Sequence, residues 1–152
     1  MFTRVSSKKE ENHMKNTAFI QFFKQFLLFS AGASGYYLIE VLFRGYSHYS
    51  MALCGGVCLC LIYFVFERFP TCPLVMKCFL GSLIITSAEL ITGCIVNLAL
   101  HLDVWDYSEL PFNLLGQICL PFSIIWFLFC FPIALLCFVF REKVFTCPVF
   151  RG

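Results

Sequence analysis

Residues 75–100 read VMKCFLGSLIITSAELITGCIVNLAL, a run whose only charged members are Lys77 and Glu89. About 20 mostly apolar residues are enough to cross a bilayer as an α-helix, so this stretch predicts a membrane span. Within it Ser82, Thr86, Glu89, Gly93 and Asn97 follow one another at separations of four, three, four and four. That spacing draws a single stripe down a helix. Small and hydrogen-bonding residues collect at helix–helix contacts in lipid, where apolar side chains gain nothing by leaving the tails. The stripe therefore predicts an inward face, and Glu89 comes with it.

Three further runs have the same character, at residues 18–43, 49–66 and 114–140. The 152 residues are 60% hydrophobic and 13% charged, with 20 Phe, more apolar surface than a small soluble domain has interior to hide. In hydrocarbon every backbone polar group must find a partner within the segment, so the spans are helices. The connections are short, which makes one unit of the whole. The expectation is an all-α membrane protein. Residues 18–143 form a four-transmembrane-helix bundle, residues 1–17 a mobile polar tail, and residues 144–152 a second short tail.

The basic residues set an expected orientation. Arg4, Lys8, Lys9, Lys15 and Lys24 precede or begin the first span, and Arg44 alone follows it. Arg68 and Lys77 lie between the second and third, none lies between the third and fourth, and Arg141, Lys143 and Arg151 follow the last. Retention of Lys and Arg on the cytoplasmic side puts both termini inside and the loop with Asp103, Asp106 and Glu109 outside. A net charge of +2 gives no argument for nucleic acid. Ala31-Gly32-Ala33 resembles a signal-peptide cleavage site, but Lys24 interrupts the apolar core and residues 36–43 continue it, which favours an anchor.

Most of the ten cysteines fall inside spans, where a thiol behaves as a small hydrophobe. Cys72 and Cys147 fall on the expected cytoplasmic side, where thiols stay reduced, so no disulfide framework is expected. Each sits in a Thr-Cys-Pro triplet after an even-numbered span, which fits a proline stop at the membrane boundary.

A carboxylate at the depth of Glu89 costs a few kcal/mol unless it is protonated, paired or in contact with water. Arg44 is the one base in the outer half. It can pair with Glu40 four residues earlier on the same face, and it is expected to be the common counter-charge for Glu89 and Asp106. Glu89 is then either an ion, proton or substrate site or a structural lock on helix register. In the loop beyond, Trp105 and Tyr107 suit the membrane–water interface, and Asp106 or Ser108 can close a side-chain turn before Pro111. Asn113 and Gln117, four apart, are expected to share a face at the start of the fourth helix, with Pro121 and Pro132 kinking it.

Trp105-Asp106-Tyr107-Ser108, then Pro111-Phe112-Asn113-Leu114, Gly116, Ile118-Cys119-Leu120, Phe122-Ser123 and Trp126, closely resemble the signature of a bacterial family. It is catalogued as "putative ABC-transporter type IV", or CmpB-like "putative ABC transporter permeases". Glu89-Leu90 with Thr92-Gly93 resembles that family's third-helix motif. Glu40 with Arg44-Gly45, and Gly55-Gly56 further on, are similar to its first-hairpin pattern. The usual Gly-Pro-rich stretch after Arg-Gly is reduced here to residues 46–56, without proline.

The resemblance implies a permease-like, multi-pass subunit of a bacterial cell membrane. No phosphate-binding Gly-x-x-x-x-Gly-Lys-Ser/Thr loop occurs, so ATP would be hydrolysed by a separate subunit. Four spans enclose little space, so homo-oligomers or other membrane subunits are expected partners. Neither a hydrolase elbow nor a zinc-protease motif is present. His48, His101 and Asp103 are too few and scattered to make a metal site. The chain is expected to be no enzyme and to carry no cofactor.

Overall fold

A computed structural model describes residues 2–145, with side chains for residues 18–142 and 145. Helix α1 runs Phe2–Arg44, α2 Tyr49–Arg68 and α3 Leu74–Gly93, the last continued by a π-helical segment Cys94–Ala99. A two-stranded hairpin follows, β1 Asn113–Leu114 with β2 Ile118–Cys119. Helix α4 then runs Leu120–Val139 and ends in a second π-helical segment, Phe140–Val144. Four stretches are long and apolar enough to cross a membrane: Ala18–Arg44, Tyr49–Arg68, Leu74–Ala99 and Leu120–Glu142. The fold is the four-transmembrane-helix bundle that the apolar runs predict.

The helix ends follow local chemistry. Gly45 stops α1 in the left-handed region at φ 79°, its N–H returning to the Val41 carbonyl at 2.9 Å. His48 caps α2, its Nδ1 accepting the Ser50 N–H at 3.3 Å. Pro73 precedes α3 and cannot extend a helix backwards. Residues 2–17, where polarity predicts a tail, continue α1. Once a helix is nucleated, each added residue gains a hydrogen bond.

A larger correction lies before α4. The sequence predicts helix from residue 114, yet the chain doubles back there, pairing Asn113 with Cys119 and Leu114 with Ile118. Leu115 and Gly116 make the reversal at φ 55° and 67°. Pro121 consequently lies in the first turn of α4, where its missing N–H costs nothing, rather than kinking an established helix. Pro132 is inside α4.

Packing sets the frame of the site. Helix α1 packs most extensively on α2, α3 on α4, and α2 on α3, whereas α1 and α4 barely touch. At the α1–α2 crossing Gly32 and Gly55 meet. A Cβ on Gly55 would lie 2.8 Å from the Gly32 carbonyl oxygen, and one on Gly32 2.7 Å from Leu59 Cβ. The innermost side chains are Leu28, Met51, Ile62, Cys78 and Cys130. The nine described cysteines are free thiols; Cys147 lies outside the described residues.

Candidate functional site: a buried acid beside the α1–α4 seam

Glu89 is 2% exposed. Its Oε1 accepts the Tyr36 hydroxyl of α1 at 2.6 Å and its Oε2 accepts the Trp126 indole N–H of α4 at 2.7 Å. The two donor rings stack on each other at 5.5 Å. One carboxylate on α3 thereby ties together the two helices that otherwise hardly meet. Among the described residues no basic side chain pairs with it.

Arg44 is not the counter-charge of Glu89. It pairs with Glu40 at 3.2 Å, donates to the Tyr46 hydroxyl at 3.2 Å, and reaches the Val104 carbonyl. The reason is depth. Glu89 lies level with Tyr36, eight residues before Arg44 on α1, which is about 12 Å along the axis. Glu40, 8% exposed, also accepts the Ser47 hydroxyl at 2.7 Å. Arg44 therefore ties the end of α1 to the α3–α4 connection, and both connections lie at the same end of the bundle.

The stripe on α3 faces inward along its length. Ser82 donates to the Ser123 carbonyl at 2.9 Å, and Thr86 to the Ser123 hydroxyl at 3.3 Å. A Cβ on Gly93 would meet Trp105 Cζ2 at 3.0 Å, so the glycine makes room for that ring. Asn97, on the π-helical turn, is the hub of the connection. Its amide donates to the Trp105 carbonyl at 2.9 Å and to Gln117 Oε1 at 2.7 Å, while its oxygen accepts the Val104 N–H at 2.7 Å. Trp105, 5% exposed, donates its indole N–H to the Gln117 carbonyl at 2.9 Å. Trp105 is thus a buried plug rather than the interface anchor its type predicts.

The rest of the loop is a surface turn. Asp106 accepts the Ser108 N–H at 2.8 Å and also its hydroxyl, and these bonds hold the fully exposed Asp106 carboxyl below the usual range. Asp106 therefore belongs to a turn and not to a charge cluster with Arg44. Asn113 is exposed too, its amide donating to the Ser108 and Leu110 carbonyls at 3.0 and 2.9 Å. Asn113 and Gln117 consequently do not share a helix face; only Gln117 points inward. Pro111 and Phe112 lie exposed in the same turn, Phe112 at φ 54°. Tyr107 stacks on Phe122 at 4.7 Å, and burial raises its hydroxyl well above the ordinary phenol range.

Because α1 and α4 stand apart, cavities are strung along the seam between them. One of 180 Å³ lies between Glu40, Arg44, Tyr107 and Phe122, with Tyr36 and Trp126 as its floor. An apolar one of 110 Å³ continues past the same two rings along Gly35, Ile133 and Leu136. Tyr36 and Trp126 are therefore shared by both cavities and by Glu89 behind them.

A family model described as "Putative ABC-transporter type IV" matches residues 26–147. The chain belongs to that family. No match was found among curated proteins or among solved structures. The matched stretch of this family member takes in the first span from residue 26, the other three spans in full, and the Asn97–Gln117 network. Tyr36 carries half of the Glu89 clamp, and sequence reasoning passed over it. The available signal was its place between Gly35 and the inward Glu40, on the helix whose small residues mark the crossing with α2.

Proposed function

We propose that the chain is a permease-like membrane subunit of a transport assembly, with Glu89 as the polar centre of its path. The observation that carries this reading is the position of the acid. It is enclosed between four helices, and its two donors are the rings that wall the α1–α4 seam. Turning either ring aside opens the carboxylate to the seam, which is how an intramembrane acid meets a passing ion, proton or polar group. The chain is itself no enzyme in this reading. A separate ATPase supplies energy, and a second copy or another membrane subunit completes the passage. Membership of the family supports a transport-related membrane role. The distribution of Lys and Arg supports cytoplasmic termini, and the resemblance to a bacterial family supports a bacterial cell membrane.

The experiment is purification of the full chain in mild detergent, with mass spectrometry of what accompanies it and ATP turnover measured after reconstitution. The proposal expects a co-purifying ATPase, and a Glu89→Gln protein that accumulates normally but has lost coupled turnover. A lone homo-oligomer, or unchanged turnover in the variant, overturns it. The completeness of the clamp favours a second reading, a non-transporting scaffold in which Glu89 locks helix register. That reading expects Glu89→Gln to lower abundance instead.

A further inference from the structure

The far end of the seam, away from Arg44, carries a charged cavity that the Glu89 centre does not use. It measures 390 Å³ and is lined by Lys24 and Gln25 of α1, Tyr63 and Glu67 of α2, and Arg141 and Phe145 after α4. Lys24 lies about 9 Å inside the span that begins at Ala18, at 1.5 Å per residue. Its ammonium sits 5.5 Å from the centre of the Phe145 ring, and no described carboxylate pairs with it. Arg141, whose Nε meets the neighbouring Glu142 at 2.9 Å, lies on the opposite wall. Glu67, one turn along α2 from Tyr63, adds one negative charge to the same lining.

We propose that this cavity seats the head group of an aminophospholipid, phosphate against Lys24 and Arg141 and primary amine on Glu67. An acyl chain then follows the seam into the apolar 110 Å³ cavity beside Gly35 and Ile133. The lengths agree. Lys24 to Gly35 spans about 16 Å of helix, close to half of the roughly 30 Å hydrocarbon core, which is the reach of one leaflet. The charges agree as well. A free phosphate dianion would face Glu67 and leave the apolar slot empty, whereas a phosphodiester with an attached ammonium matches two cations and one anion. Basic pockets between transmembrane helices hold lipid head groups by this chemistry. The inference rests on the fold alone and stands apart from the transport reading.

The test is native mass spectrometry of the full chain, delipidated in detergent and offered equal amounts of dioleoyl phosphatidylethanolamine, phosphatidylglycerol and phosphatidylcholine. One phosphatidylethanolamine is retained in preference to the others. Lys24→Gln and Arg141→Gln each lower its occupancy roughly fivefold or more. Glu67→Gln removes the preference over phosphatidylcholine, whose quaternary ammonium donates no hydrogen bond, while lipid is still held. Lys24→Arg, keeping the charge, retains binding. Equal retention of all three lipids by the unsubstituted protein overturns the proposal, as does unchanged occupancy in both glutamine variants. If Lys24→Gln fails to fold, Arg141→Gln, at an exposed position, decides.

Discussion

At the scale of single residues, the clamp on Glu89 makes a measurable claim. Tyr36→Phe keeps the ring stacked on Trp126 but removes the donor to Oε1, leaving a buried oxygen without a partner. Such a loss costs about 1–3 kcal/mol. Side-chain hydrogen bonds within membranes are often weaker, and double-mutant cycles there average roughly 0.6 kcal/mol with a maximum near 1.7. A cycle of Tyr36→Phe with Glu89→Leu, followed by unfolding in mixed detergent, should return a coupling of about 1 kcal/mol. A coupling indistinguishable from zero would mean that the hydroxyl contributes nothing to holding the acid. The inward direction of Glu89 was legible in the sequence, because four companions on its stripe specify a face. Its partners were not. Charge rules point to Arg44, but reach along a helix axis decides, and in a chain this rich in aromatics a neutral donor such as Tyr36 is marked only by its place beside Gly35 and Glu40.

At the scale of elements, the α1–α2 pair is held by closeness rather than by polar contacts. A Cβ on Gly55 meets both the Gly32 carbonyl oxygen and the Tyr36 side chain, so a valine there forces the helices apart and displaces a donor of Glu89. Gly55→Val is expected to lower the unfolding temperature in detergent by more than Gly35→Val, because a Cβ on Gly35 meets nothing within 4 Å. Equal effects would show that helix propensity, not the crossing, is responsible. Helix α2, and α3 taken together with its π-helical continuation, were legible to within a residue or two, since apolar length fixes them. The hairpin at 113–119 was not, because Leu114, Leu115 and Ile118 prolong the apolar run of α4. Only the positive φ at Leu115 and Gly116 breaks it. The π turn at Cys94–Ala99 is equally silent in sequence, yet it carries Asn97, which binds the connection on both sides.

At the scale of the molecule, length and composition make a four-span bundle nearly unavoidable, but they say nothing about which face of the membrane each end meets. That depends on counting charges. The connection between α3 and α4 holds Asp103, Asp106 and Glu109 and no Lys or Arg, whereas Lys24, Lys77 and Arg141 gather at the opposite end. Retention of the basic end on the cytoplasmic side predicts that Glu109, exposed in its turn, faces outward. A membrane-impermeant maleimide applied to intact cells should therefore label Glu109→Cys but not the unsubstituted protein. Cys72, in the short link between α2 and α3, should react only after the cells are opened. Six of the nine described cysteines are buried, so the background is low where the test is read. Labelling of Cys72 in intact cells, with position 109 protected, would invert the bundle. The Lys24 cavity would then face the outer leaflet, and an ATPase could dock only at the acidic end.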